Sequence, residues 1–356
     1  MQFYPLTVLS IEKLTNQSVC ISFNVPNNLK PIFTYTQGQY ITLKSLINGV
    51  ALRRSYSICS SPLSGQLQVG IKKVEGGIFS TYANEVLTTN HVLDVAPPNG
   101  KFFTQLVNTN KKNYVGIVAG SGITPLMSLI TTTLQTEPLS TFTLVYSNKN
   151  RQTIMFKAQL EALKNKYINR LNIIHILSQE KMDTPLFAGR IDNEKMNLLS
   201  QKLININTIN ETFLCGPETM VIMAKNFLLQ QGVSAKNIHA ELFGTTKPKN
   251  ALKQKTTSTI TQKICELEVI KDGVAQQIKL PFDTQNILDA ALNNGGDMPY
   301  ACKGGVCCTC KARLTQGEVY MEVNYGLEPD EIAAGFILTC QAYPVTEKVV
   351  VNFDDV

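Results

Sequence analysis

The hydrophobic pattern changes character three times along the chain. From residue 1 to about 107, short β-branched runs (SVCISFNVP, YITLKS, RRSYSICSSP, LQVGIKKV, HVLDVAPPNG) alternate with turn signals, the pattern of an antiparallel β-barrel or sandwich. From 112 to 243, strand text alternates with helical text: YVGIVAG then PLMSLITTTLQ, FTLVYS then QTIMFKAQLEALKNKY, LNIIHILS, and TFLCG then PETMVIMAKNFLLQQG. That alternation predicts an α/β domain with a parallel sheet. Residues 244–262 are polar and almost free of bulky apolar side chains, which predicts a linker. A third unit, 263–356, opens with strand text CELEVI and QQIKLPF and a helix, TQNILDAALNNG, with Thr284 as its expected N-cap. The expected architecture is therefore multidomain.

Tyr114 to Thr136 carries no charge and is long enough to span a bilayer. Gly120-Ser121-Gly122 and Pro125 interrupt it, and Thr131 to Thr133 are polar, so a buried strand, a glycine turn and a helix are predicted instead. The opening MQFYPLTVLSIEKL has neither a basic n-region nor a small-residue cleavage site, and a cytoplasmic, non-membrane protein is expected.

The net charge of +6 conceals an asymmetry: residues 261–356 hold 7 Lys/Arg against 14 Asp/Glu, and residues 1–260 hold 26 against 13. A basic body joined to an acidic tail can steer the two together, or steer the tail to a basic partner. The lysines are scattered and no recognition motif accompanies them, so nucleic-acid binding is not expected.

Nine cysteines are an odd number, and four of them crowd between Cys302 and Cys310, which argues for a metal centre over a disulfide framework. Cys20 and Cys59 lie in strand text and read as small buried hydrophobes. Cys302-x4-Cys307-x2-Cys310, followed by Cys340, has the plant-type spacing for four thiolates around a 2Fe-2S cluster. Gly304 and Gly305 let backbone N–H groups approach the sulfurs. Structural zinc is the alternative for four cysteines, but zinc ribbons pair their ligands in two knuckles and here Cys340 stands alone. Cys308, beside a ligand, reads as a small filler.

Arg54-Ser55-Tyr56-Ser57 supplies what a flavin needs: an arginine for the diphosphate, an aromatic face for the isoalloxazine, and a hydroxyl near N5. An ordinary strand would also carry that tetrapeptide. Gly76-Gly77-Ile78-Phe79-Ser80-Thr81 strengthens the reading, because a glycine pair opening a helix offers free N–H groups to a diphosphate. In the α/β unit, Gly120-Ser121-Gly122-Ile123-Thr124-Pro125 follows a strand and opens a helix, the setting of a nucleotide-phosphate loop or of a plain turn. Cys215-Gly216-Pro217 ends a second strand at the sheet's carboxyl edge, where a thiol can face a ligand or simply fill space.

These motifs, in this order, resemble the ferredoxin-NADP reductase superfamily with a fused C-terminal ferredoxin. Within it, TTTLQTEP, QTIMF, FLCGP, LDAALNNGGDMPYACKGGVC and NYGLEPDEIAAGFILTCQA look most like the reductase subunits of bacterial phenylacetyl-CoA epoxidases. The resemblance implies an FAD-binding β-barrel domain at 1–107, an NAD(P)-binding α/β domain at 112–243 and a β-grasp ferredoxin domain at 263–356. It implies that Arg54, Tyr56 and Ser57 bind FAD, with Gly77, Phe79, Ser80 and Thr81 around its diphosphate. Gly120, Gly122, Thr124 and Pro125 would form the dinucleotide loop, continued by Gly216 and Pro217. Ser57, Cys215 and Glu241 would stand at the reacting flavin and nicotinamide, and Cys302, Cys307, Cys310 and Cys340 would hold the 2Fe-2S cluster.

Ser147, Lys149 and Arg151 occupy the segment that holds the 2'-phosphate in NADPH-preferring relatives, and no acidic residue stands there, so NADPH is favoured over NADH. None of His91, His175 and His239 has a glutamate three residues earlier, so a di-iron carboxylate site is not expected within the chain. The implied partner is a separate di-iron oxygenase component, the phenylacetyl-CoA epoxidase subunits, with an aromatic-ring or alkane hydroxylase as the alternative. A nonenzymatic iron-sulfur protein with degenerate reductase domains is the other reading.

Overall fold

The structure, a computed structural model, describes residues 1–243 and 263–355, so the expected linker at 244–262 lies outside the described residues. The chain divides into two compact units, Gln2–Gly244 and Thr245–Val356.

The first unit begins with six strands: β1 (Tyr4–Thr15), β2 (Ser18–Asn24), β3 (Tyr40–Ile47), β4 (Val50–Ser57), β5 (Leu67–Lys72) and, after helix α1 (Ile78–Glu85), β6 (Val92–Val95). They pair antiparallel in the order β4-β3-β6-β1-β2-β5, and an Ile58–Val69 bridge joins the two edges into a barrel. Asn48-Gly49 makes the β3–β4 turn with φ of 51° and 76°, values that Asn and Gly tolerate best. Inward side chains such as Leu6, Val8, Ile41 and Val69 are fully buried, and Phe79 and Ala83 of α1 complete this core.

The α/β half follows as β7 (Asn113–Ala119), α2 (Ile123–Thr136), β8 (Thr141–Asn148), α3 (Lys157–Lys166), β9 (Leu171–Leu177), α4 (Asn193–Lys202), β10 (Glu211–Gly216), α5 (Glu218–Gln230) and β11 (Ile238–Leu242). All five strands run parallel in the order β11-β10-β7-β8-β9, and the central ones are apolar on both faces because helices cover both. The uncharged stretch at 114–136 is thus strand, glycine turn and helix. No described helix is long and apolar enough to cross a membrane.

These two halves share a core: Cys20, Cys59 and Phe102 of the barrel cluster with Tyr114, Leu129, Phe142 and Phe213 of the α/β half. Cys20 and Cys59 are both buried, with their sulfurs 3.8 Å apart. Gly70 of β5 is a contact point, where a Cβ would stand 2.7 Å from Thr124 Cγ2 and 2.9 Å from Phe156 Cζ. The connecting segment is fastened by the fully buried carboxylate of Glu137, which accepts from Val107 N, Asn110 Nδ2, Tyr114 OH and Ser140 Oγ at 2.7 to 3.0 Å.

The second unit comprises β12 (Ile264–Lys271), β13 (Val274–Pro281), α6 (Ile287–Asn293), β14 (Lys311–Gln316), β15 (Val319–Met321), α7 (Pro329–Ala333), β16 (Phe336–Leu338), β17 (Ala342–Pro344) and β18 (Lys348–Asn352). Its main sheet runs β13-β12-β18-β14-β16 with β12 and β18 parallel, and α6 buries Ile287, Leu288, Ala290 and Ala291 against it, the β-grasp arrangement. The expected N-cap of α6 is corrected here. Asn286, not Thr284, accepts from Asp289 N at 2.8 Å, while the Thr284 hydroxyl donates to the Pro281 carbonyl to close the preceding turn.

Candidate active site and iron-sulfur loop

β4 carries Arg54 and Tyr56 with partly or fully exposed side chains and Ser57 buried. The Tyr56 ring lies 5.8 Å from that of Phe79, so the barrel strand and the first turn of α1 meet at two aromatic rings. Gly77 caps α1 with no side-chain hydrogen bond, behind Gly76 at φ 71°. The Ser80 hydroxyl accepts from Val74 N and donates to the Gly77 carbonyl, both at 3.1 Å, and Phe79 is buried in the barrel core. Side chains of Phe79 and Ser80 therefore shape this turn, and what the turn offers an anion is backbone N–H.

The glycine loop after β7 lies where the sequence places it, and close packing dictates its composition. Gly120 has φ 54° and its carbonyl accepts from Tyr146 OH at 3.1 Å. A Cβ on Gly122 would stand 2.3 Å from the Cys215 carbonyl oxygen, and one on Gly216 2.9 Å from Met220 Cε. The Thr124 hydroxyl donates to the Ser121 carbonyl at 3.0 Å, and Thr124 and Pro125 are buried in the first turn of α2. Thr124 and Pro125 thus set the loop's shape from beneath.

Above this edge opens a cleft of about 690 Å³, lined by Gly120, Ser121, Ser147, Lys149, Gly216 and Pro217 among others. Arg151 is not among its lining residues: its Nε is 3.3 Å from Glu180 Oε1 and its backbone N donates to Glu180 Oε2 at 2.8 Å. Lys72 at the end of barrel strand β5 and Arg190 just before α4 also line the cleft, and no motif marked either of them. Lys72, Lys149 and Arg190 form no ion pair with a described residue. Burial, then the neighbouring charge of Lys149, lowers the Lys72 ammonium below its usual range. Three cations against one carboxylate, Asp192, which is engaged as the N-cap of α4, suit a polyanion. The available signal was the β5 lysine pair, Lys72-Lys73, ending an otherwise apolar run.

Cys215 and Glu241 are register partners on the parallel strands β10 and β11. Burial lifts the Glu241 carboxyl to about 8, and burial followed by the Glu241 charge raises the Cys215 thiol. Ser57 Oγ and Glu241 Oε2 are enclosed without a hydrogen-bond partner among the described residues. Buried polar atoms of this kind fit a bound polar ring system.

In the cluster loop, Lys303, Gly305 and Cys308 have φ of 50°, 74° and 51°, which curls the chain around its own sulfurs. The four thiols associate in pairs, Cys302 with Cys307 and Cys310 with Cys340. No three Cys, His, Asp or Glu side chains among the described residues gather around a single-ion position. A 2Fe-2S centre takes two thiolates on each iron, which two such pairs can supply. A hydrogen bond from Cys307, then the amides of Gly304, Val306 and Cys307, push the Cys302 thiol down, and Gly304 N lies 3.3 Å from Cys302 Sγ. Cys308 packs on the edge of the domain core, its sulfur against Gly326, where a Cβ would stand 2.5 Å away.

Comparisons with known proteins agree with this layout. An oxidoreductase FAD-binding domain model matches residues 5–104, an oxidoreductase NAD-binding domain model 117–226, and a 2Fe-2S iron-sulfur cluster binding domain model 269–345. The chain is 46% identical over 354 residues, 99% of its length and 98% of the relative's, to a subunit of the 1,2-phenylacetyl-CoA epoxidase of Escherichia coli K12. It is 29% identical to the ferredoxin reductase component of 3-ketosteroid-9-alpha-monooxygenase from Rhodococcus rhodochrous, covering 98% of this chain and 96% of that protein. The phthalate dioxygenase reductase structure shares the fold, with a TM-score of 0.63 at 20% identity over 99% of this chain and 98% of that one. The chain therefore belongs to the same family as this 1,2-phenylacetyl-CoA epoxidase component, a family of oxidoreductases that join FAD-binding, NAD-binding and 2Fe-2S domains in one polypeptide.

Proposed function

We propose that this chain is the reductase component of a phenylacetyl-CoA epoxidase, taking electrons from NADPH through FAD and the 2Fe-2S centre to a separate di-iron oxygenase component. The full-length 46% identity to the Escherichia coli protein carries that reading. A cytoplasmic location belongs to the same reading. FAD, when bound, converts the electron pair of a hydride into single electrons for the cluster.

The chain's own residues bind and orient. Arg54 and the open amides behind Gly77 hold the flavin diphosphate, Tyr56 faces the isoalloxazine, and the unpartnered Ser57 hydroxyl is available to N5. The glycine loop of Gly120 and Gly122, with Gly216 and Pro217, lets the dinucleotide lie against backbone, while Thr124 and Pro125 fix the turn. Ser147 and Lys149 take the 2'-phosphate, supported by Lys72 and Arg190, with Arg151 held back by Glu180. Cys215 and Glu241 face the nicotinamide and the flavin across neighbouring strands, and Cys302, Cys307, Cys310 and Cys340 hold the cluster.

The test is reconstitution. Purified chain with NADPH and the oxygenase subunits of a phenylacetyl-CoA epoxidase should support coupled epoxidation. Bleaching of its visible bands by NADPH with no epoxide formed would leave a reductase for a different oxygenase.

A further inference from the structure

Gln341 follows the last cysteine of the cluster loop, and its side chain reaches back over that loop. Its backbone is pinned on both sides: its N–H donates to the Leu338 carbonyl and its carbonyl accepts from Glu322 N, each at 2.9 Å. From there the side chain runs across Gly305, where a Cβ would stand 3.1 Å from Gln341 Cγ. The carboxamide nitrogen then meets three acceptors: the Cys340 carbonyl at 2.9 Å, the Lys303 carbonyl at 3.1 Å and Cys340 Sγ at 3.7 Å. Of its two N–H groups, one serves the Lys303 carbonyl and the other is shared between the Cys340 carbonyl and Cys340 Sγ, so one side chain ties the loop of Cys302 and Cys307 to the segment of Cys340.

We propose that Gln341 is a positioning residue that sets the reduction potential of the 2Fe-2S centre through its N–H to Cys340 Sγ, while its bond to Lys303 keeps the two ligand segments in register. An N–H donor to a ligating thiolate stabilises the reduced, more negative cluster and raises its potential. Gly305 serves the same arrangement, because at φ 74° a side chain there would be strained and would crowd the Gln341 stem.

The inference rests on the four cysteines being cluster ligands, and iron and sulfide content of the wild-type chain tests that premise separately. The experiment is a redox titration of the holoprotein followed by the electron paramagnetic resonance signal of the reduced cluster, in Gln341→Leu and Gln341→Met. Both variants should titrate at a lower potential than wild type. The Leu variant should move the flavin–cluster electron equilibrium about fivefold toward the flavin, the share of a single hydrogen bond. An exchangeable-deuteron coupling at the cluster should disappear in the Leu variant. If the Leu variant binds no iron, the Met variant, uncharged and close to Gln in length, decides by its potential. Wild-type potentials in iron-loaded variants would overturn the proposal.

Discussion

Gly122 at the start of α2 lies so close to Cys215 that a Cβ on it would stand 2.3 Å from the Cys215 carbonyl oxygen, and 2.6 Å from its carbon. The nucleotide loop and the strand end carrying the thiol are therefore one packed object. Since both neighbours are backbone, neither can yield by changing rotamer. Gly122→Ala should lower stability by about 1–3 kcal/mol, the usual cost of overpacking. It should also raise the KM for NADPH more than tenfold, read by chemical denaturation and by stopped-flow flavin reduction.

The cleft cations should divide by their surroundings. Lys149→Gln and Arg190→Gln each remove a charge with no carboxylate partner, and each should weaken NADPH binding roughly tenfold, as for loss of one charged hydrogen bond. NADH binding should change little. Arg151→Gln, whose guanidinium already faces Glu180, should change NADPH binding by less than about threefold on the same scale. Titrations with both nucleotides measure the ratio, and an Arg151 effect as large as that of Lys149 would restore Arg151 to the proposed 2'-phosphate site.

Glu241 imposes a pH dependence of definite sign. Its carboxyl is lifted from 4.5 to about 8 by burial, so at neutral pH the folded chain keeps a proton that the unfolded chain has released. Stability from this group is then lost as pH rises from about 4.5 to about 8 and is constant beyond. The melting temperature of Glu241→Gln should exceed that of wild type by a margin that grows across this window, with little difference at its acid end. A margin independent of pH would mean that Glu241 is ionised throughout.

Cys308 separates packing from ligation in the cluster loop. Because its sulfur lies against Gly326, Cys308→Ala should retain the iron content and visible spectrum of wild type. Cys310→Ser and Cys340→Ser should lose the cluster. Iron analysis of the purified variants decides, and loss of iron from Cys308→Ala would assign it as a ligand.

Most of the fold was legible because its signals are periodic. Alternating apolar runs in the barrel and strand–helix alternation in the middle each follow from one buried face repeated along the chain. The longest strand among the described residues, Tyr4–Thr15, is not legible as an apolar run, since its exposed face breaks the apolar text with Ser10, Glu12 and Lys13. Side-chain contacts across sequence were legible only where geometry fixes the residue type. Glycines at 120, 122 and 216 announced a close approach, whereas Lys72 and Arg190 come to the same cleft from elements far apart in the chain and have no spacing to betray them. The pairing of Arg151 with Glu180 is of the same kind, because a local motif says nothing about a partner 29 residues away.

The apolar cluster uniting Cys20, Cys59 and Phe102 with Tyr114 and Phe213 decides which piece of this protein can be exchanged. A barrel severed from the α/β half would present a bare hydrophobic wall, as would the α/β half alone, so neither is a cassette on its own. The smallest transplantable module on this side of the chain is the pair. A chimera that respects that boundary should keep its flavin, and one that cuts through it should precipitate.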